Sequence, residues 1–403
     1  MKNLLVISSL FFSLTLNAAD LYVNNSGQAG TYTTVSSAVA AAAANDRIFV
    51  SPYANYIENI VITQNLTMAC AVPGSYFSIT GTLTITGSPN LDVRIIGAEF
   101  AGALNANTGT ATLANKADVY LVDSKVSSVV GQDYMKLHLL FSTLGFSANF
   151  RHGEMRMCNV SASITISDGP NTGIGDTLFL VANQAAGITW SNNDNLFYFS
   201  NNYINTNQNN VSGPAAIVIS NHFYSAAAKN LMINNSLLSY NSNSTPIGTI
   251  NLSTTGDRSN IWLYNNIMMN GYSSGAQTAA FTAYGAGTGQ VQAIYNYMRG
   301  SLPGTVLNQV SGNTQITAGA VVSMDTYGRS QEATLVVDQG SPAIEFYDID
   351  LTRNNRGSGG GGFTVENYLA TGTGRARVYN LMMPSEIWNG MSPSVKADGT
   401  HIK

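Results

Sequence analysis

The chain has 403 residues, of which 44% are hydrophobic and 10% are charged, and its formal net charge is −4. This hydrophobic content can bury a large core, which excludes a disordered chain, and the slight acidity argues against a nucleic-acid partner. The low charge, with abundant glycine, asparagine, serine and threonine, favours turns and β-structure over exposed helices.

The start of the chain has the order of a secretory signal peptide. A basic residue, Lys2, precedes the apolar run Leu4–Leu16, and the small residues Ala18 and Ala19 follow it. The alternative, a membrane anchor, is disfavoured because the run is shorter than the ~20 residues that span a bilayer. We expect a signal peptide over residues 1–19 and a protein that is secreted, extracellular or on the outer cell surface, with the periplasm as an alternative. No later stretch predicts a transmembrane segment.

One segment is typical of a helix. It is alanine-rich, follows Thr34 and ends at Ala44, with Thr34 placed as an N-cap. A single helix in so long a chain excludes α/β barrels and doubly wound folds, which need a helix after most strands. Short runs of alternating apolar residues follow, each ending in turn-forming residues. The predicted strands are Arg47–Val50, Asn59–Ile62, Leu66–Ala69, Thr82–Thr86 and Val93–Ile96.

A repeat of unequal length predicts the fold. Four segments place Asn directly after a short apolar run: Leu196–Ile204, Leu231–Leu237, Ile261–Ile267 and Ala293–Met298. Their Asn markers at 201, 234, 265 and 296 are 33, 31 and 31 residues apart, and closer markers at 123, 142 and 159 indicate shorter rungs. Such units favour an all-β, single-stranded right-handed parallel β-helix. The alternatives fit less well, because a β-sandwich needs more regular spacing and a propeller needs longer repeats.

Asn after each strand has two expected roles in such a coil. It tolerates the left-handed backbone conformation of a corner, and its amide can hydrogen-bond the Asn of the next rung. We therefore interpret the Asn pairs as structural and not as a binding site. Cys70 and Cys158 are expected to be buried free thiols, with a disulfide between them as the alternative.

The segments that open the mature chain resemble the pectin lyase-like superfamily. They are Gly30–Ala40, Asn45–Pro52, Tyr56–Ile62 and Asn65–Met68. The closing segments Ser341–Ile344 and Asp348–Gly357 are similar to those of many bacterial surface β-helix proteins. The resemblance implies a parallel β-helix, which we place over residues 20–363, followed by a C-terminal cap or strap over 364–403, with an attachment module as the alternative.

The catalytic motifs of that superfamily's enzymes are mostly missing. Gln132-Asp133 is only a faint echo of a pectin methylesterase motif, and Arg151-His152-Gly153 is the nearest sequence to the Gly-His-Gly of polygalacturonases. Carboxylate pairs that would hold Ca²⁺ in a polysaccharide lyase do not occur. Asp348 and Asp350 have a spacing that could hold Ca²⁺, but we expect them to form salt bridges with Arg353 and Arg356 instead. No cofactor and no metal site are predicted, and Ca²⁺ stays an alternative without a supporting motif.

Ionisable residues concentrate between 123 and 156, where short rungs should bring residues 17 to 19 apart together. The members are Asp123, Lys125, Asp133, Lys136, His138, Arg151, His152, Glu154 and Arg156. The candidate groove residues among them are Asp123, Asp133, Arg151, His152 and Glu154. A set of solvated surface ion pairs is the alternative interpretation.

Export, low charge, repeats and missing catalytic motifs favour a non-catalytic secreted or cell-surface β-helix. Its role would be adhesion, envelope structure or glycan binding, with a polysaccharide or cell-surface glycan as partner. The alternative is a carbohydrate-active enzyme of the same superfamily, a polysaccharide lyase, esterase or glycoside hydrolase. A fibre-forming role is a third hypothesis.

Overall fold

A computed structural model describes most of the chain. The described residues are 18–86, 90–106, 117–131, 135–167, 177–191, 196–206, 215–220, 229–239, 249–253, 260–270, 281–284, 291–299, 307–316, 323–330, 332, 334–365, 376–382 and 396–401. The predicted signal peptide lies almost entirely outside them and stays a prediction.

The fold is a parallel β-helix, as the repeat predicted. Within the described residues, thirteen strands stack in parallel to form one sheet, here sheet 1, and eighteen more form a second parallel sheet, here sheet 2. In chain order, sheet 1 contains Asp20–Val23, Asp46–Val50, Leu66–Cys70, Asp92–Ile96, Ala117–Val122, Met135–Leu140, His152–Arg156, Thr177–Val181, Leu196–Ser200, Lys229–Ile233, Asn260–Tyr264, Val291–Ile294 and Leu307–Ser311. All five strands predicted between Arg47 and Ile96 are present, and no end differs from the prediction by more than one residue.

Sheet 2 bends, so that a turn of the coil can contribute two successive strand stretches to it. Lys125–Gly131, for example, pairs through its first residues with Thr143–Leu144 and through its later residues with Ala148–Phe150. The remaining strands of sheet 2 are Asn55–Ile57, Ile60–Ile62, Phe77–Thr80, Leu83–Ile85, Ala98–Ala106, Asn159–Ser167, Gln184–Ser191, Tyr203–Asn205, Ile217–Ser220, Ser236–Ser239, Ile250–Ser253, Ile267–Asn270, Phe281–Tyr284, Tyr297–Arg299 and Thr314–Ile316.

The predicted helix is present as Val35–Ala41, one short cap at the N-terminal end of the coil. Thr34 is its N-cap, as predicted, and its hydroxyl accepts a hydrogen bond from the backbone N–H of Ser37. The Glu58 carboxylate accepts two more free helix N–H groups, from Val35 and Ser36, at 2.8 Å each. The helix therefore begins where side chains satisfy its backbone donors.

The core is a column of aliphatic and aromatic side chains inside the coil. Because side chains alternate along a strand, every second residue points inward and stacks on its equivalent in the next rung. Trp190, the largest fully buried side chain, packs edge-on against Phe197 and Phe199, whose rings stack at 4.6 Å. Each such burial contributes about 1.5 to 3 kcal/mol.

Each sheet 1 strand from Asp92–Ile96 onward is followed by a corner of constant geometry. Its first residue has a positive φ, and in most rungs this residue is not glycine. The series is Gly97, Asp123, Phe141, Met157, Ala182, Asn201, Asn234, Asn265, Tyr295 and Gly312. Asn tolerates this conformation better than most residues. The structure thus shows corners near 182 and 312 that the sequence repeat did not identify.

The second residue of the corner, not the first, forms the Asn ladder. Its members are Asn183, Asn202, Asn235, Asn266, Asn296 and Asn313. The amide oxygen of each rung accepts from both the backbone N–H and the side-chain Nδ2 of the preceding Asn, at 3.1 and 2.9 Å between Asn202 and Asn235. The prediction that one Asn both adopts the left-handed conformation and forms the ladder was therefore wrong. The first corner residue adopts the conformation, and the second forms the ladder. The marker at 296 is a ladder residue, and Tyr295 holds the corner conformation there.

The same position carries smaller side chains in the short rungs. Ser124, Ser142 and Cys158 precede Asn183 in the stack, and the backbone N–H of Cys158 donates to the Asn183 Oδ1 at 2.9 Å. Cys158 is buried, and burial raises the pKa of its thiol to about 12. Cys70 is only half-buried, and both cysteines are free. The expected absence of a disulfide is confirmed, but the expected burial of Cys70 is not.

Residues 323–365, here the returning segment, run back along the corners of the long rungs. Asn201 and Asn234 donate through Nδ2 to its Gly360 carbonyl, and Asn265 Oδ1 accepts from the Ser341 N–H at 2.7 Å. Apolar contacts add to these bonds: Phe363 packs edge-on against Tyr198, and Phe346 stacks on Tyr264. The first Asn of each pair therefore binds the returning segment, while the second supports the coil from inside.

The charged residues of the returning segment do not pair as expected. Arg353 and Arg356 donate to backbone carbonyls, and Asp348 accepts from the N–H groups of Asn355 and Gly361. No ion pair joins these arginines to Asp348 or Asp350 in the described part of the chain, so the predicted salt-bridge network is wrong. Buried Arg356 binds the Thr314 hydroxyl at 2.8 Å and the Gly312 carbonyl at 2.9 Å, which ties the segment to the last rung.

Beyond residue 365 the structure describes one antiparallel pair of strands, Ala376–Met382 with Lys396–His401. The assignment of 364–403 as a cap or strap stays a prediction. Among the described residues, no helix is long and apolar enough to cross a membrane.

Candidate functional site

The outward side of sheet 1 gathers ionisable and aromatic side chains on consecutive strands. Strand alternation sends Val119 and Leu121 into the core and turns Tyr120 outward. Parallel register then aligns Tyr120 with Arg94 on the preceding strand and with His138 on the next, and aligns His138 with Glu154. We call the set Asp92, Arg94, Asp118, Tyr120, His138, Glu154 and Arg156 the His138 cluster.

His138 joins two carboxylates on neighbouring strands. Its Nδ1 lies 2.8 Å from Glu154 Oε1, and its Nε2 lies 3.1 Å from Asp118 Oδ1. Burial by itself would lower the pKa of His138, but the hydrogen bonds and charges of Asp118 and Glu154 outweigh it, so that the pKa is raised. Asp118 and Glu154 thus favour the charged imidazolium over the neutral ring.

Glu154 is the most enclosed carboxylate of the cluster, with 15% of its side chain exposed. Its second oxygen accepts from Arg156 Nε at 2.6 Å. Burial would raise the pKa of Glu154, but the hydrogen bond from His138 and the charge of Arg156 more than compensate, and the pKa is lowered. Glu154 is therefore ionised at neutral pH and bonded through both oxygens.

Tyr120 lies between two cationic groups. Its ring stacks on the His138 ring with centroids 4.1 Å apart and planes 9° apart, and the Arg94 guanidinium lies 4.8 Å from its centroid. Arg94 in turn pairs with Asp92 at 3.1 Å. Burial, followed by the charges of Asp118 and Asp92, raises the pKa of Tyr120 to about 12. The hydroxyl stays protonated, and the ring is occupied by its neighbours.

Further along the same row, aromatic rings replace charges. Phe179 lies beside Arg156 at 5.8 Å and beside Tyr198 at 5.7 Å, and Phe363 of the returning segment covers Tyr198. Outside this row, Phe346 covers Tyr264, the last residue of its sheet 1 strand, and Arg353 lies over the corner residue Tyr295. The rings that a sugar could stack on are thus used, in these positions, for contacts within the protein.

The predicted groove residues fall in different environments. Glu154 is at the centre of the His138 cluster. His152 begins the same strand but is buried, at 1% exposure, and half-buried Arg151 directly precedes it. Asp123 occupies a corner, where Tyr76 donates to its carboxylate at 3.0 Å. Asp133 lies outside the described residues.

The sequence did not identify Asp92, Arg94, Asp118 and Tyr120 as members of this site. All four are outward residues of predicted or regular strands, and that alternation was the available signal. What the sequence lacked was the register, which places Asp118 beside His138 although 20 residues separate them.

The arrangement can hold charge and polar contacts at the surface, but its acid and base groups are engaged with one another. A histidine that bonds carboxylates through both nitrogens has no free nitrogen for proton transfer to a ligand. Within the described ranges, no three His, Cys, Asp or Glu side chains are placed to hold a metal ion. The His138 cluster is therefore a closed network of bonds in this conformation.

Comparison of the chain with protein families, curated proteins and solved structures finds no match. The parallel β-helix itself is established by the structure, and membership of the pectin lyase-like superfamily stays a prediction.

Proposed function

We propose that this protein is a secreted or cell-surface β-helix with a non-catalytic role in adhesion, envelope structure or glycan binding. The observation that carries the proposal is the closure of the His138 cluster. Both nitrogens of His138 and both oxygens of Glu154 are engaged within the protein. A general acid or base needs a proton or lone pair directed at the substrate, whereas those of His138 and Glu154 are directed at neighbouring side chains.

The rest of the molecule supports a scaffold role. The Asn ladder, the aromatic contacts and the returning segment all add internal bonds to a long, rigid surface. Such a coil exposes many equivalent positions along one axis, which suits binding of an extended polymer through several weak contacts. A polysaccharide or cell-surface glycan is the partner class that we propose.

The test combines binding and turnover on the same samples. The mature chain is applied to a glycan array, and each bound polysaccharide is then incubated with it and assayed for new reducing ends, unsaturated products and released ester groups. We expect binding without product. Glu154→Gln is measured beside Glu99→Gln, a control that removes an exposed carboxylate on sheet 2.

The second candidate is a carbohydrate-active enzyme of the pectin lyase-like superfamily. It is favoured by one observation, that Asp118 and Glu154 flank His138 on a single outward face. Two carboxylates on one face can share acid and base roles in glycoside hydrolysis. Turnover of a defined polysaccharide that Glu154→Gln abolishes and Glu99→Gln preserves would replace the non-catalytic proposal with this one.

A further inference from the structure

The contacts of His138 require a particular protonation state. Nδ1 faces Glu154 Oε1 and Nε2 faces Asp118 Oδ1, both within hydrogen-bond distance. An ionised carboxylate only accepts hydrogen bonds, and a neutral imidazole carries a single N–H. Only the imidazolium, with two N–H groups, donates to both carboxylates at once.

Three strands supply the groups that make these contacts. Asp118 belongs to Ala117–Val122, His138 to Met135–Leu140 and Glu154 to His152–Arg156, which are consecutive in sheet 1. The side chain of His138 thus connects three neighbouring rungs of the coil. Only 16% of it is exposed, so water competes poorly for these bonds.

The other charged and titratable groups around His138 include both positive and negative side chains. Tyr120 stacks on its ring, and Lys136 precedes it by two residues on its own strand. Arg94 and Arg156 add positive charge, but Asp92 and Glu154, respectively, pair with them. Glu154 and Asp118 are the groups in direct contact with the imidazole, and both favour its charged form.

We propose that His138 is a proton-dependent clamp, which joins three rungs of sheet 1 while both ring nitrogens are protonated and releases one carboxylate when a proton is lost. On deprotonation one nitrogen becomes an acceptor that faces an acceptor. One of the two contacts is then repulsive, and this destabilises the packing of the rungs between residues 118 and 156. The clamp does not depend on what the protein binds.

The direction of the pH dependence follows from the raised pKa of His138. The stabilisation is complete below the pKa of an unfolded histidine, about 6.5, and is lost as the pH rises through the higher pKa of the folded state. For each pH unit by which the folded-state pKa of His138 exceeds its unfolded-state pKa, the ratio of folded to unfolded protein falls about tenfold as the pH rises from the lower to the higher value.

The first test is a nitrogen NMR titration of the full chain labelled in its histidines. His138→Gln assigns the signals of His138, or Asp118→Asn does so if that variant does not fold. We expect both ring nitrogens of His138 to carry a proton at pH 6 and to titrate above the ordinary histidine value, and we expect Asp118→Asn to lower the midpoint. A singly protonated ring at pH 6, or titration at or below the ordinary value, overturns the clamp.

The second test is urea unfolding between pH 5.5 and 9. Wild type should lose stability as His138 deprotonates. His138→Gln should lose that step, and Asp118→Asn should show a smaller step, because Glu154 remains in contact with the ring. Arg47→Gln is the matched control, because it removes another ion pair of the same sheet, with Asp20, outside the cluster. Identical pH dependence in wild type and both cluster variants would also overturn the proposal.

Discussion

Adjacent asparagines in one corner are both buried but have different partners. Asn235 lies on the coil side, and its side-chain amide makes four hydrogen bonds along the ladder. Asn234 has a φ of 57°, and its side chain donates one hydrogen bond, to the Gly360 carbonyl of the returning segment. The two asparagines therefore contribute different amounts to the free energy of unfolding.

Asn235→Ala should destabilise the protein by about 3 kcal/mol or more, because it leaves several buried donors and acceptors without partners at about 1 to 3 kcal/mol each. Asn234→Gly should change stability by less than about 1 kcal/mol, because glycine adopts a positive φ without strain and only one bond is lost. Urea midpoints of the two variants measure the difference. Equal effects would mean that the ladder is not the main role of this pair.

Glycine at 153 is required by a close approach of two backbones. Its φ is 121°, and a Cβ there would lie 2.0 Å from the Leu137 carbonyl oxygen. Gly153→Ala should therefore push the strand away from its neighbour, cost several kcal/mol and break the contact between His138 and Glu154. Gly145→Ala is the control, since its Cβ would meet its neighbours only at ordinary contact distance, 3.7 Å. A shift of the His138 NMR signal in the first variant alone, with a lower unfolding midpoint, would support this account.

At the scale of elements, the sequence predicted the strands better than the site. Alternation in Arg47–Val50 or Val93–Ile96 is local and marks a strand directly. The identity of the corner residue is less informative. A positive φ occurs in the equivalent corners of other rungs at residues that do not favour it, namely Phe141, Met157, Ala182 and Tyr295. Stacking on equivalent corners above and below fixes that conformation, which no single rung reveals. The contact of Asp118 with His138 depends in the same way on register between rungs of unequal length.

The returning segment depends on a carboxyl group in an unfavourable setting. Asp348 accepts backbone hydrogen bonds from Gly361 and Asn355, yet burial, aided by the charges of Asp350 and Asp338, raises its pKa to about 6. A raised carboxyl pKa means that the folded state binds the proton more tightly than the unfolded state. Ionisation of Asp348 therefore costs stability as the pH rises from the ordinary aspartate value, about 3.9, through about 6.

Asp348→Asn keeps an oxygen acceptor for these N–H groups and removes the charge. We expect it to stabilise the protein above pH 6, by about 1 kcal/mol after allowance for solvent screening of a half-buried group, and to have little effect near pH 4. Thermal unfolding at both pH values measures this. Glu345→Gln, which removes an exposed carboxylate of the same segment, serves as the control. A loss of stability at pH 7.5 in Asp348→Asn would show that the ionised form is needed to hold the segment.

At the scale of the molecule, a coil of stacked rungs has two ends at which backbone groups lack a next strand. Val35–Ala41 caps the first end, and Arg356 reaches the Gly312 carbonyl and the Thr314 hydroxyl near the last described rung. An uncovered strand edge recruits further strands and promotes association. The returning segment therefore protects the coil as well as bracing its corners.

Two truncations separate this role from that of the tail. Removal of 323–403 should uncover the last rung near Gly312 and Thr314 and lower the unfolding midpoint. The bonds of Arg356 to that rung, and those of Asn201 and Asn234 to the returning segment, are then lost. We expect this variant to associate, as measured by light scattering after size-exclusion chromatography. Removal of 366–403 retains all of those bonds. This variant should keep the association state of wild type and an unfolding midpoint close to that of wild type. If the shorter truncation also associates, the predicted cap over 364–403 contributes to end protection, and the returning segment is not sufficient for it.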